Sequence, residues 1–250
     1  MGCLWLVVVL AAASPIDSSA VPFPGDSAFA ALDYCHAVRS YDSLLVGPAN
    51  RPETLWRLAR VCVCIADTIS DGDASPLYHR AEGYARDCIR LDPRCSQGWT
   101  WLAAALGNIA MDEGARRKVD LCHEIKCALD SATALNPSDD VAYSILGSFY
   151  RALGNVGWLE HRLADVFLGG LPEGGYRESE GALARAVQLA PGVIRHRYEL
   201  GLLYLDMGRK HEAFCAFQTA IALHPLLAVD RSTQTRAAAA LEKLKSDGEQ

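Results

Sequence analysis

Residues 194–225 read IRHRYELGLLYLDMGRKHEAFCAFQTAIALHP, and the order of small and large residues in this stretch decides the fold. The deciding residues are, in order, Leu200-Gly201, Tyr204, Ala213, Phe217, Ala220 and Pro225. Gly201 and Ala213 are small enough for two antiparallel helices to cross closely. Tyr204 and Phe217 fill the space beside that crossing. Pro225 ends the second helix, because proline lacks a backbone donor and clashes with the preceding turn.

This order is typical of the tetratricopeptide repeat, a helix–turn–helix unit of about 34 residues. Only its first aromatic slot departs, with Arg197 in that place. The closing pattern, small-x-x-Leu-x-Pro, occurs four times: Cys88–Pro93, Ala132–Pro137, Ala186–Pro191 and Ala220–Pro225. The sequence therefore predicts an all-α superhelix (solenoid) with repeat units at about 53–93, 96–137, 140–191 and 194–225. A terminal helix over 229–245 is expected to cap the last apolar surface.

The repeats are irregular, because their closing prolines are 44, 54 and 34 residues apart. Two units thus carry insertions of about 10 and about 20 residues over the standard period. The first is expected around Met111–Lys118, as longer helices. The second contains a predicted short helix, Trp158–Leu168, and a flexible Gly169–Gly175 segment. Ahead of the repeats, the apolar periodicity of Ser27–Leu45 predicts one helix.

The N-terminal segment resembles a secretory signal. Leu4–Ala13 is a continuous apolar run, too short for a bilayer span of about 20 residues, and small residues follow at 18 and 20. We predict a signal peptide at 1–20, a linker at 21–26 and a helical-repeat domain at 27–250, which places the chain in the secretory pathway. A short membrane-associating anchor, or an apolar start that packs on a cytoplasmic domain, are the alternatives.

Composition and motifs argue against several function classes. The chain has 250 residues, half of them hydrophobic, and a formal net charge of -6. It has no long basic run, so we expect no nucleic-acid binding; Arg116-Arg117-Lys118 is interpreted as a solvated helix start. The seven histidines form no HExxH motif, and no P-loop, GxGxxG or GxSxG motif occurs. We therefore expect neither catalysis nor a cofactor.

The nine cysteines form no CxxC motif. Cys62 and Cys64 point apart on a helix, as do Cys122 and Cys127, so zinc binding is not predicted. Asp71 and Asp73 lack the rest of a calcium-binding loop and are interpreted as a turn. Disulfides are compatible with an oxidising compartment, but their connectivity does not follow from the sequence.

In this repeat class the first helix of each unit lines the concave face. The residues predicted to face the groove are Arg57, Val61, Thr100, Ala104, Asn108, Ser144, Ser148, Arg151, Arg195, Tyr198 and Leu202. Their small side chains leave room for a ligand, and the arginines can hold a carboxylate or phosphate. An extended peptide or an anionic amphiphile is the predicted occupant. The alternative is that these residues simply pack against neighbouring helices.

The second insertion resembles a known family. Its Gly157–Arg162 segment is similar to the Ser-Trp-Leu-Glu signature of the regulator of microtubule dynamics family, through Trp158, Leu159 and Glu160. Phe167–Pro172 with Tyr176 resembles that family's following loop, and Glu124–Lys126 is similar too. The resemblance, over roughly 53–244, implies a non-enzymatic binding module associated with microtubules. A phospholipid-binding or transfer domain at membrane contact sites is the alternative that it implies. Trp158 is interpreted as a core plug, or else as a surface lid.

Overall fold

The computed structural model describes residues 23–45, 51–70, 72–157, 164 and 169–246. Within these ranges the chain is helical and has no strand. The helices of these ranges are α1 Asp26–Ala30, α2 Tyr34–Leu44, α3 Arg51–Ala66, α4 Ser75–Leu91, α5 Ser96–Asp112, α6 Ala115–Leu135, α7 Asp140–Gly154, α8 Tyr176–Leu189, α9 Ile194–Asp206, α10 Lys210–Ala222 and α11 Asp230–Ser246. The predicted signal peptide 1–20 lies outside the described residues.

The eight helices α3 to α10 form four antiparallel pairs, which confirms the predicted superhelix. Within the pairs α3 packs on α4, α5 on α6, α7 on α8 and α9 on α10. The first helices of successive pairs also contact one another, α3 with α5, α5 with α7 and α7 with α9, so they form an inner layer. Each of the four closing prolines follows the end of a second helix within three residues. The pairs are therefore equivalent units.

Glycines at the helix crossings explain how the pairs approach so closely. A Cβ placed on Gly201 would lie 2.6 Å from the ring of Phe217, which is fully buried. A Cβ on Gly147 would lie 2.4 Å from Cγ of Leu183 and 3.2 Å from the Leu183 backbone nitrogen. Since Leu183 is also fully buried, neither side of that crossing can move away.

We therefore expect Gly147→Ala to destabilise the protein by about 1–2 kcal/mol, because the added methyl overpacks the crossing of α7 and α8. Thermal unfolding followed by circular dichroism measures this loss. Gly107→Ala is the matched control, since Gly107 also lies inside a first helix but a Cβ there would meet no atom within 4 Å. The control is expected to gain about 0.5–1 kcal/mol from helix propensity. Equal effects at the two positions would contradict the close crossing.

The first insertion is accommodated by long helices, as expected. α5 has 17 residues and α6 has 21, and only Glu113 and Gly114 separate them. Most of the second insertion lies outside the described residues, including Trp158, Leu159, Glu160 and the predicted helix around them, apart from the buried Ala164. After it, the Gly170 carbonyl oxygen lies 3.2 Å from His123 Nε2 on α6.

The predicted single helix over Ser27–Leu45 is wrong, because the chain breaks at Leu32. Leu32 has a φ of 63° and separates α1 from α2. The side chain of Asp33 then caps α2 by accepting a hydrogen bond from the His36 backbone N–H at 3.0 Å. The sequence has no glycine or proline at this break, and its apolar periodicity continues across it. The pattern alone therefore predicted one helix. Phe23, inside the predicted linker 21–26, already packs against Tyr41 of α2, with ring centroids 6.2 Å apart.

Helix α11 covers the last pair. Its Ala237 and Leu241 are buried against the cluster formed by α9 and α10. Gln234 donates hydrogen bonds of 2.9 Å to the carbonyl oxygens of Ile221 and Leu223, which have no partner within α10. Over the described part of the chain, no helix combines the length and the apolar character that crossing a membrane requires.

Candidate functional site

The N-terminal helices cover the groove at the first repeat unit. The guanidinium of Arg57 lies between the rings of Phe23, at 3.9 Å, and Trp56, at 4.1 Å. Arg57 also donates to the carboxylates of Asp26, at 3.1 Å, and Glu53, at 2.6 Å. Val61 is fully buried in the cluster that α2 forms with α3. The structure thus places Arg57 and Val61 in a packed interface rather than on an open groove surface.

Of the predicted residues of α5, Thr100 bonds to the next repeat unit, whereas Ala104 and Asn108 lie on the groove side. The buried Thr100 donates a hydrogen bond of 2.7 Å to Asp139, the residue that caps α7. This bond ties the second unit to the third. Ala104 and Asn108 are half-buried on the inner layer, where the Asn108 side-chain amide donates to the Ala104 carbonyl oxygen at 2.9 Å.

Of the predicted residues of α7, Arg151 contacts the neighbouring inner helix α9. Arg151 donates to two carboxylates of α9, those of Glu199 at 3.3 Å and Asp206 at 3.0 Å. Ser148 donates to the Ser144 carbonyl oxygen at 3.1 Å. The Ser144 hydroxyl is buried and has no hydrogen-bond partner among the residues that the structure describes. The charge of Arg151 is therefore already balanced by the fourth unit.

On α9, Arg195 spans the groove. It is 45% exposed and lies 3.5 Å from the carboxylate of Asp67, at the end of α3 in the first unit. Asp67 also accepts a hydrogen bond of 2.8 Å from the hydroxyl of Tyr78; burial, followed by this carboxylate, raises the pKa of Tyr78. Tyr198 packs on Phe217 with centroids 5.8 Å apart, and Leu202 contacts the same cluster. Of the three predicted groove arginines, Arg195 is the most exposed.

The superhelix closes on itself just ahead of α11. Leu227 packs on the cluster of α2 and α3, and the Ala228 backbone N–H donates to the Tyr34 hydroxyl at 3.2 Å. The buried carboxylate of Asp230 holds this segment in place by accepting from the backbone N–H groups of Leu226, at 2.7 Å, and Leu227, at 2.8 Å. The N-terminal helix pair and the segment before the cap therefore meet across the concave face.

This closure encloses a cavity of about 300 Å³ on the concave face. Asp67, Tyr78, Asn108, Arg195, Tyr198, Glu199, Asp230, Thr233 and Arg236 form its polar wall, and Ala66, Ile69, Ala74, Leu227 and Val229 its apolar wall. Three predicted groove residues, Asn108, Arg195 and Tyr198, line this cavity. Arg236 donates to Thr233 at 3.1 Å and lies over the Tyr198 ring at 5.1 Å. We call this space the concave cavity.

Sequence reasoning missed Asp67, Tyr78 and Arg236. The first two lie at the turn of the first unit, and Arg236 lies on the capping helix. The repeat pattern does not assign the turn or the capping helix to the concave face. The closure of the superhelix brings these three residues to the wall of the concave cavity. No sequence signal would have identified them.

A comparison with family models decides the relationship. The model described as regulator of microtubule dynamics protein 1-3 matches residues 26–245. The chain belongs to the regulator of microtubule dynamics family. Its insertion motif thus pointed to the correct family, although Trp158, Leu159 and Glu160 lie outside the described residues.

Individual members of the regulator of microtubule dynamics family are distant relatives. Regulator of microtubule dynamics protein 1 of Bos taurus is 27% identical over 161 residues, which is 63% of this chain and 51% of the relative. The Mus musculus protein of the same name is 26% identical over 195 residues, 77% of this chain and 64% of the relative. The chain thus spans about half to two thirds of the length of these curated relatives.

Solved structures agree with the repeat fold of this regulator of microtubule dynamics family member. TTC0263, a thermophilic tetratricopeptide-repeat protein of Thermus thermophilus, matches with a TM-score of 0.64 at 23% identity, covering 87% of this chain and 95% of that one. At this identity the match supports the fold alone. Among the described residues, no group of three or more His, Cys, Asp or Glu side chains is placed to hold a metal ion.

Proposed function

We propose that this chain is a non-enzymatic binding module that holds a short extended segment of a protein partner in the concave cavity. The observation that carries the proposal is the pair of arginines on the cavity wall. Arg195 is half-exposed and lies 3.5 Å from the Asp67 carboxylate, and the guanidinium of Arg236 donates to the Thr233 hydroxyl. Both keep donors for a further acceptor, and bidentate arginine contacts suit the carboxylate of an acidic side chain or a chain terminus.

The partner is proposed to be tubulin in its polymerised form, by membership of the family named for microtubule dynamics. Stabilised microtubules are therefore the appropriate probe. The cavity dimensions agree with a short segment rather than a folded domain, because about 300 Å³ is at the lower end of ligand-pocket volumes. Tyr78, Asn108 and Thr233 add hydrogen-bonding groups for the backbone of such a segment.

Co-sedimentation with stabilised microtubules tests the proposal. The double variant Arg195→Ala with Arg236→Ala is expected to weaken binding about tenfold or more, since a factor of ten corresponds to about 1.4 kcal/mol. Arg90→Ala with Arg94→Ala is the matched control, because it removes the same charge from the outer end of α4 and the following turn. Equal loss in both double variants would point to general electrostatic attraction. Unchanged binding by the Arg195→Ala, Arg236→Ala variant would contradict binding in the concave cavity.

A phospholipid is the second candidate occupant, and the composition of the apolar wall favours it. Ile69, Leu227 and Val229 line the same cavity as the two arginines, so apolar side chains and guanidinium groups are both available to an amphiphile. Native mass spectrometry of the purified protein separates the two proposals. A co-purified lipid that is absent from the Arg195→Ala, Arg236→Ala variant would support the lipid function. Lipid-free protein that still co-sediments with microtubules would support the protein partner.

Residues 1–20 decide between the two candidate occupants, because their cleavage as a signal peptide would place the mature chain in the secretory pathway, where the phospholipid is the proposed occupant. Mass mapping of the mature N-terminus tests this proposal. A chain that begins at Val21 would exclude cytosolic microtubules as the partner of the mature protein. An uncleaved chain would leave them accessible.

A further inference from the structure

Two cysteines lie together at the junction between the first and second repeat units. Cys88 is in the last turn of α4, and Cys95 precedes the first residue of α5. Two backbone hydrogen bonds fold the intervening chain: the Asp92 N–H donates to the Cys88 carbonyl oxygen at 2.9 Å, and the Cys95 N–H donates to the Asp92 carbonyl oxygen at 3.1 Å. This tight turn brings the two thiols to the same side of the junction.

Gly98, in the first turn of α5, lies against the Cys88 side chain and three residues after Cys95. Its backbone N–H lies 3.1 Å from the Cys95 carbonyl oxygen, and a Cβ placed on Gly98 would lie 3.0 Å from Cys88 Sγ. The missing side chain leaves space beside Gly98 in which the Cys88 and Cys95 thiols interact with each other. Cys88 Sγ also lies 3.3 Å from the Pro52 carbonyl oxygen, so its single proton has two acceptors within reach.

The two thiols differ in exposure and in electrostatic setting. Cys88 is fully buried, whereas Cys95 is partly exposed at the N-terminus of a 17-residue helix. The interaction with the Cys88 thiol lowers the pKa of Cys95, against burial and the nearby carboxylates of Glu53 and Asp92. The bond to Cys95, followed by burial, raises the pKa of Cys88. Low-pKa, accessible cysteines beside a second cysteine are the usual sites of reversible oxidation.

We propose that Cys95 and Cys88 form a redox-active pair that a hydroperoxide converts into an intrachain disulfide. The Cys95 thiolate attacks one peroxide oxygen, the O–O bond breaks, and Cys95 becomes a sulfenic acid while the other oxygen leaves as water or an alcohol. The Cys88 sulfur then attacks Cys95 Sγ, the S–O bond breaks, and a second water carries away the Cys88 proton. The pair loses two electrons and the peroxide gains them. The disulfide closes the turn between the first two repeat units.

Peptide mapping of the full chain tests the pair. The reduced protein is treated with limiting hydrogen peroxide, its remaining thiols are alkylated, and it is digested with trypsin without reduction. Cleavage after Arg86, Arg90, Arg94 and Arg116 separates Cys88 and Cys95 into two peptides, 87–90 and 95–116, that only a disulfide can join. This linked species is expected as the main disulfide product. A main product that links any other pair of cysteines, or no disulfide at all, would overturn the proposal.

Two variants separate the roles of the thiols, with circular dichroism to show that each is folded. In Cys88→Ser the Cys95 sulfenic acid has no resolving thiol, so dimedone is expected to label Cys95 at least fivefold more than in the unmodified chain. In Cys95→Ser the buried Cys88 is expected to resist both peroxide and alkylation. If Cys88→Ser does not fold, alkylation of the unmodified chain is the second measurement. Iodoacetamide is expected to alkylate Cys95 several-fold faster at neutral pH than the exposed Cys35 or Cys127. Alkylation of Cys95 no faster than these two would contradict its assigned role.

Discussion

Replacing Phe217 by alanine is expected to destabilise the protein by about 3–5 kcal/mol, the loss typical of a buried aromatic residue. Phe217 has no exposed surface, and its ring fills the space opposite Gly201 and beside Tyr198. The ring packs directly against Gly201, where a Cβ would lie 2.6 Å from it, so its removal leaves a cavity between the two helices of the last pair. Thermal or urea unfolding measures the loss, and a decrease in melting temperature of roughly 6–20 °C is expected for a chain of this size.

Met111→Ala serves as the control for Phe217→Ala. Met111 is 74% exposed at the end of α5, so its replacement is expected to change stability by less than about 0.5 kcal/mol. If Phe217→Ala unfolded at the same temperature as Met111→Ala, the aromatic slot of the repeat would not be a core position here, and the assignment of the last unit would fail.

The second large effect is expected at Asp26, the first residue of α1. Its carboxylate accepts hydrogen bonds from the Tyr41 hydroxyl at 2.6 Å, from Arg57 at 3.1 Å and from Arg60 at 3.0 Å. Asp26→Ala would leave two largely buried arginines without this counter-charge, for which we expect a loss of about 2–3 kcal/mol. Because these bonds attach the N-terminal helices to α3, hydrogen exchange in α1 and α2 is expected to accelerate more than exchange in the repeats.

Asp87→Ala is the matched control for Asp26→Ala, since it breaks the Asp87–Arg90 pair on the outer face of α4. That pair is 53% and 70% exposed, so its loss is expected to cost less than about 1 kcal/mol. Asp26→Asn keeps the shape of the side chain and is expected to lose less than Asp26→Ala. Equal stability of the two alanine variants would show that α1 does not depend on the Asp26 carboxylate.

The sequence predicts the helix pairs well because their packing follows a local rule. Gly201 and Phe217 are 16 positions apart, and the small residue leaves room for the large one within a single helix pair. Each helix pair that packs in this way therefore carries its own sequence pattern. The four Leu-x-Pro segments add a second local signal, the end of a helix. The fold class, the inner and outer helices and the long helices of the second unit all follow from such short-range patterns.

The groove could be predicted only in part, because its electrostatics come from long-range contacts. Arg151 is neutralised by residues 48 and 55 positions later in the chain, and Tyr34 meets Ala228 across 194 positions. No repeat pattern encodes these distances. The sequence therefore indicated the inward-facing arginines but not which of them would keep an exposed guanidinium, and it missed Arg236 on the capping helix.

Hydrogen–deuterium exchange of the full chain, with and without stabilised microtubules, tests the central claim most directly, because it locates the bound surface. We expect slower exchange in the segments that line the concave cavity, at 66–69, 74–78, 195–199 and 227–236, with the outer helix α6 unchanged. Protection confined to α6 and α8, or no protection in a chain that co-sediments with the polymer, would contradict binding in the concave cavity.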